Sequence, residues 1–486
     1  MALNSEFRIG WRSHAVALPI LVLVHLLLPM DRFLIEHRLA SLVLAVGCYF
    51  VVAWDVGRQL RAMRLPFLSF VALYYYVFFA AALLWQDSLE SVDGPVALTD
   101  GDVLLAQFAV MASFASFIAG SGVGGLVGRL TEGAVSRALP EGPLTLGFKG
   151  VIGAALGASL VLSATVALGR GVVPGAVEFV AVVVLAPALP LTVLAWHAER
   201  TGEFGARVLL VVAVALFMGV GLLSGMLGAA LTPLLVPVLA RIVVRRRLAW
   251  WWVVAGVGAF VLLQPAKLLF RETVGQGQFS GGSSVEGRLS IWSAAVEETV
   301  EGEGASAQGG REAGFVARSM SRTAELLPIA QAIAWVPNRV PYTNGSQWFA
   351  ALVGWIPRFA WPEKPDYGFE SRSRYALEFR LQTETGVRTS SANISQVADG
   401  YWAFGWTGVA FAGLFFGLIV GWMAWVFPVD RWASYAVGSH LLLLGGYHSD
   451  IGGFVSGLPQ RLVGAFLWCW VLAFALAAVR GSTRPT

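Results

Sequence analysis

The sequence predicts an all-α polytopic membrane protein with about twelve transmembrane helices and one large extracytoplasmic loop. Three observations support this fold class. Apolar residues make up 57% of the chain and charged residues only 13%, against about 25% charged residues in soluble domains. The apolar runs are continuous rather than alternating, which excludes a transmembrane β-barrel. Basic residues, finally, concentrate on one side of the predicted membrane.

Each predicted span is an apolar run near the length of about 20 residues that a helix needs to cross the hydrocarbon core. The first run follows Arg8 and Arg12 without an A-x-A cleavage pattern, so we expect an uncleaved anchor. The chain then divides into an N-terminal bundle (1–268, about nine helices), a large loop (269–400) and C-terminal helices (401–486). We predict spans near 14–30, 39–55, 66–85, 103–124, 148–168, 173–196, 207–222, 224–241, 249–268, 402–426, 432–446 and 461–479.

The distribution of basic residues predicts the orientation. With the N-terminus in the cytoplasm, seventeen Lys and Arg residues fall in inner segments and four in the short outer connections. The positive-inside rule favours this arrangement, which leaves both termini in the cytoplasm and residues 269–400 outside. The net charge of +4 follows from these orientation signals, so we expect no nucleic-acid partner.

The large outer loop gathers many of the cations of the chain. Two Gly-rich and Ser-rich segments enclose a short helix predicted at 286–300. Residues 315–335 read as an amphipathic helix kinked at Pro328, and residues 346–356 are apolar enough to lie on or re-enter the bilayer. The cations of the loop are Arg271, Arg288, Arg311, Arg318, Arg322, Arg339, Arg358, Lys364, Arg372, Arg374, Arg380 and Arg388.

Two groups of these cations are candidates for an anion site. Arg318 and Arg322 are spaced i,i+4, so both point the same way on a helix, and two guanidinium forks suit a phosphate or pyrophosphate. Arg358 and Lys364 lie beside prolines that stiffen the backbone. The alternatives are ordinary: Arg322 pairs with Glu325, and Arg358 and Lys364 anchor the loop at the membrane interface.

Acidic residues supply the other candidates. Asp399, at the start of the tenth predicted span, reads either as a general base at the outer surface or as the N-cap of the span. His448 and Asp450 border an outer cavity or belong to a Gly-rich turn. Asp100 and Asp102 are expected to cap the next helix rather than hold a metal, and we expect no metal and no cofactor. Close helix packing is expected at Gly405, Gly408, Gly413 and Gly417.

Two strings carry a resemblance to a known family. IPRFAWPEKP at 356–365, followed by SSANISQVADGYWAFGWTGVAFAGLFFG at 390–417, looks like the O-antigen (Wzy-type) oligosaccharide repeat-unit polymerases. The likeness covers roughly residues 315–425 and extends elsewhere only as topology. The family usually has Glu where this chain has Asp399, and the following Tyr and Phe-Gly pair match at Tyr401, Phe404 and Gly405.

The resemblance implies a metal-independent, inverting glycosyltransferase on a GT-C-like scaffold. Arg318 or Arg322 would match the loop arginine of the family, and Arg358 the arginine of its Ile-Pro-Arg turn, so the implied catalytic residues are these three and Asp399. The implied substrates are undecaprenyl-pyrophosphate-linked oligosaccharides at the bacterial cytoplasmic membrane, and a chain-length regulator is a candidate partner beside the lipid bilayer. Candidate substrate-binding residues are Lys364, Tyr342, Tyr401, Arg288, His448 and Asp450.

Two other functions stay open. An O-antigen ligase has a similar topology and the same type of donor. A lipid-linked glycan flippase is a transporter and would need charged residues along its spans, which are nearly free of them.

Overall fold

The computed structural model is helical throughout the residues it describes. Those residues are 18–23, 25, 35–81, 98–141, 144, 148–168, 188–225, 227–248, 250–273, 285–301, 325–354, 356, 360–364, 369–381, 384, 387, 394–444 and 450–482. Within them the single extended pairing is an isolated bridge between Arg64 and Pro428. The prediction of an all-α protein is therefore confirmed.

The helices follow one another with short connections in most of the described chain. We number the α-helices in chain order, and α2 continues as a π-helix at Tyr76–Ala80. They are α1 Ile35–Arg61, α2 Phe67–Tyr75, α3 Asp100–Ala138, α4 Phe148–Leu168, α5 Ala188–Thr201, α6 Phe204–Leu223, α7 Leu227–Arg245, α8 Trp250–Thr273, α9 Val285–Glu301, α10 Leu326–Trp335, α11 Ser346–Leu352, α12 Arg374–Glu378, α13 Gln396–Val426, α14 Trp432–Leu444 and α15 Ile451–Ser482.

Seven helices of the described chain are long and apolar enough to cross a membrane. They lie in α1, α3, α4, α6, α7, α13 and α15, and three shorter apolar helices accompany them at Phe67–Ala80, Trp251–Gln264 and Leu326–Trp335. The spans predicted at 14–30 and 173–196 fall largely outside the described residues. The chain is thus a helical membrane protein, and the total of twelve spans stays a prediction.

The division between the seventh and eighth predicted spans is confirmed. Helix α6 ends at Leu223, and Gly225 follows with φ of +68°. This left-handed conformation costs little for glycine because it has no Cβ. Helix α7 then begins at Leu227, so one long apolar stretch becomes two helices.

Helices α3 and α13 form the most extensive contact of the fold, and glycines make it close. A Cβ on Gly417 would collide with the carbonyl oxygen of Phe117, and one on Gly124 with that of Leu418. The remaining members of the two rows follow the same four-residue spacing, which is the small-residue pattern of membrane helix pairs. They are Gly413 and Gly421 on α13 and Gly120 and Gly128 on α3. The predicted packing role of Gly413 and Gly417 is confirmed.

Helix α13 is interrupted at Phe404 and Gly405, which have non-helical backbone angles. Gly405 adopts φ 62° and ψ −140°, a region that is essentially restricted to glycine. The chain bends so sharply there that the backbones of Gly400 and Gly408 touch. Residues 396–403 therefore form a short helix of their own before the long apolar helix that follows.

The large loop agrees with the sequence in part. Helix α9 confirms the short helix predicted at 286–300. Helix α10 begins at Leu326, so Pro328 lies in its first turn, where the ring is tolerated. The predicted kink at Pro328 is therefore wrong, and residues 315–324 of the predicted amphipathic helix lie outside the described residues. The carbonyl of Pro328 accepts a hydrogen bond from the Tyr375 hydroxyl at 2.9 Å.

The Asp100-Gly-Asp102 motif caps a helix, as predicted. Thr99 is the N-cap of α3, and its hydroxyl accepts from the backbone N–H of Asp102 at 3.2 Å. The Asp102 carboxylate accepts in return from the backbone N–H of Thr99 at 2.9 Å. This reciprocal capping box accounts for Asp102 without a metal.

Candidate functional site: a buried acidic junction

Asp399 lies in the short helix that precedes the break in α13. The N-cap of this helix is Ser395, whose hydroxyl accepts from the backbone N–H of Ala398 at 3.3 Å. The interpretation of Asp399 as the N-cap is therefore wrong. Because the helix begins at Ser395, Asp399 lies one turn inside it. Its side chain points inward, where it is fully buried.

Three donors surround the Asp399 carboxylate. Gln347 Nε2 donates to Oδ1 at 2.9 Å, and Trp348 Nε1 donates to Oδ2 at 2.8 Å. The backbone N–H of Ile451 also donates to Oδ2, at 3.0 Å. A buried carboxylate is costly unless donors replace its lost hydration. Asp399 thereby joins α11 and the start of α15 to the α13 break.

Asp450 is the second buried carboxylate and directly precedes α15. Its Oδ2 accepts from the Ser371 hydroxyl at 2.8 Å and from the backbone N–H of Gly453 at 3.0 Å. The latter bond satisfies an N–H that the first turn of α15 leaves without a partner in the helix. Arg372 Nε donates to Oδ1 at 3.1 Å, so this carboxylate ties the 369–373 segment to α15.

The two carboxylates interact with each other as well as with their donors. They are close enough for mutual repulsion, and Ile451, the neighbour of Asp450 in the chain, donates to Asp399. Like charges repel strongly in a low dielectric, so the surrounding N–H and O–H donors are needed to hold both groups. We call this set, made of Gln347, Trp348, Ser371, Arg372, Asp399 and Asp450, the acidic junction.

Cationic and aromatic side chains lie at the edge of the acidic junction. The Arg372 side chain is 31% exposed although its partner Asp450 is buried. Arg374 stacks over the Trp402 ring at 5.6 Å and pairs with Glu378 at 3.7 Å. Burial, followed by the nearby Asp399 and Glu325 carboxylates, raises the pKa of Tyr375 above its usual value. Its hydroxyl therefore stays protonated and acts as a donor.

Comparison with known proteins adds one finding. A family model described as a domain of unknown function, DUF8712, matches residues 171–479, which is more than half of the 486-residue chain. The chain belongs to the DUF8712 family. The match contains every residue of the acidic junction. Searches of the curated proteins and of the solved structures found no match.

The DUF8712 chain brings Tyr342 and Tyr401, two predicted substrate-binding residues, to the α13 break. The Tyr342 hydroxyl would lie 3.1 Å from a Cβ at Gly405. Thr343 donates its backbone N–H to the Trp402 carbonyl at 3.1 Å, which holds the 342–345 turn against the break. Tyr342 is 36% exposed, whereas Tyr401 is nearly buried, so the two tyrosines differ in access.

Lys364 and Arg288 have different surroundings in the DUF8712 protein. Lys364 Nζ donates to the Gly354 carbonyl at 2.7 Å and also to the Ile356 carbonyl, so it fastens the turn that follows α11. Arg288 donates from Nη1 to the Leu223 carbonyl at 2.7 Å. This contact caps the C-terminus of α6, and the described contacts of α9 are with α6 and α8.

Four predicted site residues of this DUF8712 chain lie outside the described residues. They are Arg318, Arg322, Arg358 and His448. In the part of the chain that the structure describes, no group of three or more His, Cys, Asp or Glu side chains is arranged to hold a metal ion.

Sequence reasoning missed four members of the acidic junction in this DUF8712 protein. Arg372 was one of many loop cations, and Gln347, Trp348 and Ser371 carried no motif. Their contacts join residues between 51 and 79 positions apart in the chain. The one usable signal was composition, because Gln347 and Trp348 bring two side-chain hydrogen-bond donors into the largely apolar segment 346–356.

Proposed function

We propose that this protein is a membrane glycosyltransferase, with a GT-C-like scaffold, that polymerises undecaprenyl-pyrophosphate-linked oligosaccharide repeat units into O-antigen or a related surface polysaccharide. The proposed reaction takes place at the outer face of a bacterial cytoplasmic membrane. A sugar hydroxyl of one lipid-linked unit attacks the anomeric carbon of the growing chain. The new glycosidic bond forms as the anomeric carbon–oxygen bond to the lipid pyrophosphate breaks, and the hydroxyl proton passes to a base.

The observation that carries this proposal is the contact between Arg372 and Asp450 in the acidic junction. Asp450 binds the Nε of Arg372 at 3.1 Å and leaves part of the guanidinium side chain exposed. A departing pyrophosphate gains negative charge, and fixed cations stabilise such charge best because they need no reorganisation during the reaction. The junction supplies the rigid attachment that this role requires.

The proposal gives the loop cations and Asp399 different roles. Arg318, Arg322 and Arg358 bind the pyrophosphate together with Arg372, since planar guanidinium groups bind phosphate oxygens in pairs. Asp399 is a positioning residue in this scheme. Its carboxylate is fully buried and accepts three hydrogen bonds, whereas a general base must reach the proton that it removes.

The Lys364 contacts fit the same scheme. Lys364 secures the carbonyls of the turn after α11, and α11 carries Gln347 and Trp348 of the acidic junction. In the proposed enzyme Lys364 therefore stabilises the turn next to Arg358 and does not bind the leaving group. Tyr342, which is exposed at the α13 break, contacts the glycan in this scheme.

The experiment is deletion of the gene in the host, followed by complementation and electrophoresis of the surface polysaccharide. We expect the deletion strain to carry single repeat units attached to its lipid anchor, and the wild-type gene to restore long chains. Arg318→Ala, Arg322→Ala, Arg358→Ala and Arg372→Lys should each shorten or abolish the chains. The matched control is Arg137→Ala, which removes an exposed arginine that donates to the Gly133 carbonyl of its own helix.

The same experiment separates this function from its rivals. Long chains that accumulate without transfer to their final acceptor in the deletion strain would instead indicate a ligase. Single lipid-linked units retained on the cytoplasmic side would indicate a flippase. Full-length chains from all four arginine variants, at wild-type protein levels, would refute the cationic site.

A further inference from the structure

Three arginines surround one tryptophan at the C-terminal end of α13. The guanidinium carbons of Arg129, Arg64 and Arg58 lie 4.1, 4.3 and 5.1 Å from the centroid of the Trp425 ring. Arg58 also stacks on Trp54 at 4.7 Å. Cations are attracted to the faces of indole rings, but three of them at one ring repel one another.

The charges around this ring are only partly neutralised. Arg64 Nη2 donates to both carboxylate oxygens of Glu132, at 2.9 and 2.8 Å. Arg58 has Asp55 nearby, but that carboxylate is buried and accepts from the hydroxyl and backbone N–H of Ser69. Three cations and two anions leave one positive charge, and it lies on the side of Arg58 and the exposed Arg129.

A cleft of about 230 Å³ opens beside these two cations. This volume is below the roughly 300–1,000 Å³ of pockets that enclose a whole small molecule. The cleft is therefore suited to the headgroup of a larger molecule, the rest of which stays outside the cleft. Its lining includes Arg58, Arg129, Gln59, Ser121 and Trp425, and the Gln59 Oε1 atom is buried without a hydrogen-bond partner.

The lining changes from apolar to cationic along the helices. Trp54 lies one turn before Arg58 on α1, and Ile118 and Leu126 precede Arg129 on α3. These three apolar side chains are between 41% and 60% exposed, which is expected of residues that face lipid tails. Arg58 lies in the last turn of α1, and Arg129 lies in the C-terminal third of the 39-residue helix α3; cations near helix ends are found at the level of the headgroups. The apolar part of this surface matches the acyl chains of a phospholipid, and the cationic part matches its phosphate.

We propose that this cleft binds the phosphate of an anionic phospholipid, with Arg58 and Arg129 on the phosphate and the acyl chains along Trp54, Ile118 and Leu126. Phosphatidylglycerol is a lipid of this kind. The bound anion relieves the repulsion among the three guanidinium groups and connects α1 to α3.

This lipid site is independent of the proposed enzymatic activity. From Trp406 to Trp425 the helix α13 rises about 30 Å at 1.5 Å per residue, so the cleft lies near the opposite end of the bundle from the acidic junction. Its lipid therefore serves as a structural partner, and loss of the site is measurable whether or not the protein transfers sugars.

The test is native mass spectrometry and thermal unfolding of the purified full-length protein in detergent, with added phosphatidylglycerol, phosphatidylcholine or inorganic phosphate. We expect phosphatidylglycerol to remain bound and to raise the Tm, and the other two to do neither. Each cation near an anionic headgroup changes affinity about fivefold, so R58Q/R129Q should bind phosphatidylglycerol roughly 30-fold more weakly. R137Q, which removes one exposed arginine elsewhere on α3, should bind as the wild type does.

Two results would overturn the proposal. Equal retention of phosphatidylglycerol by the wild type and R58Q/R129Q would show that the cleft does not hold the lipid. An equal rise in Tm with inorganic phosphate would show that the anion is a free phosphate. If the double variant is not monodisperse, Arg129→Lys, which keeps the charge, is compared with Arg129→Gln, and equal binding by these two would refute the site.

Discussion

Trp348 Nε1 donates a hydrogen bond of 2.8 Å to Asp399 Oδ2, although 51 residues separate the two in the chain. The indole N–H is a donor only, and the carboxylate that receives it is fully buried. This bond fixes α11, a short helix of the large loop, against the first segment of α13. The loop and the membrane helices are consequently one structural unit at this point.

Asp399→Asn is expected to destabilise the protein by about 1–3 kcal/mol. The variant keeps the shape of the side chain but loses the charge. Its amide N–H₂ group would face the N–H donors that now bind one of the two carboxylate oxygens, so that donor would meet donor. Thermal unfolding in detergent measures the effect. Asp430→Asn, at an exposed position, is the matched control and should unfold like the wild type, and an equal Tm for both variants would contradict the argument.

The pair of Arg372 and Asp450 should show energetic coupling. Asp450→Asn weakens three contacts at once and should cost more stability than Arg372→Gln, whose side chain is partly exposed. A double-mutant cycle is expected to give a coupling energy of about 0.5–3 kcal/mol. Strictly additive effects in the unfolding measurements would mean that the 3.1 Å contact does not join the two elements.

Gly417→Ala should destabilise the α3–α13 contact by about 1–3 kcal/mol or more, because the added methyl group would overlap the Phe117 carbonyl and force the helices apart. Gly133→Ala is the control, since a Cβ at this α3 position meets nothing within 4 Å. The control should be neutral or stabilising, as alanine is a better helix former than glycine. A Gly417→Ala variant with an unchanged Tm would refute the backbone-to-backbone contact.

Gly405→Ala should cost about 1–3 kcal/mol, the range for residues forced into sparsely populated backbone angles. The methyl group would also approach the Tyr342 hydroxyl, which lies 3.1 Å from the Cβ position. Gly219→Ala in α6 has open space around its Cβ and serves as the control in the same unfolding assay. Should the two variants unfold alike, α13 would be continuous rather than broken at this residue.

The sequence predicted the membrane helices better than the site because the two depend on different information. The span predicted at 148–168 coincides with α4, and the split near Leu222–Gly225 is present, since both depend on local composition. Asp399 shows the limit. A polar residue before an apolar run resembles a cap, and only the position of Ser395 four residues earlier, together with the contact to Gln347, turns that carboxylate inward.

The break in α13 shows the same limit for glycine. The sequence predicted close helix packing for all four glycines, and Gly413 and Gly417 do pack against α3. Gly405 was expected to pack in the same way but has a positive φ, which composition does not encode. Positive φ values follow from the path that the chain must take between tertiary contacts, here from the acidic junction to the start of the long span.

The glycine rows of α3 and α13 have a mechanical consequence. Two long helices whose main chains touch repeatedly cannot slide or tilt against each other without losing many contacts together. The pair therefore moves as one rigid unit. Any rearrangement that changes the spacing between helices must therefore come from the helices and loop segments packed around this pair.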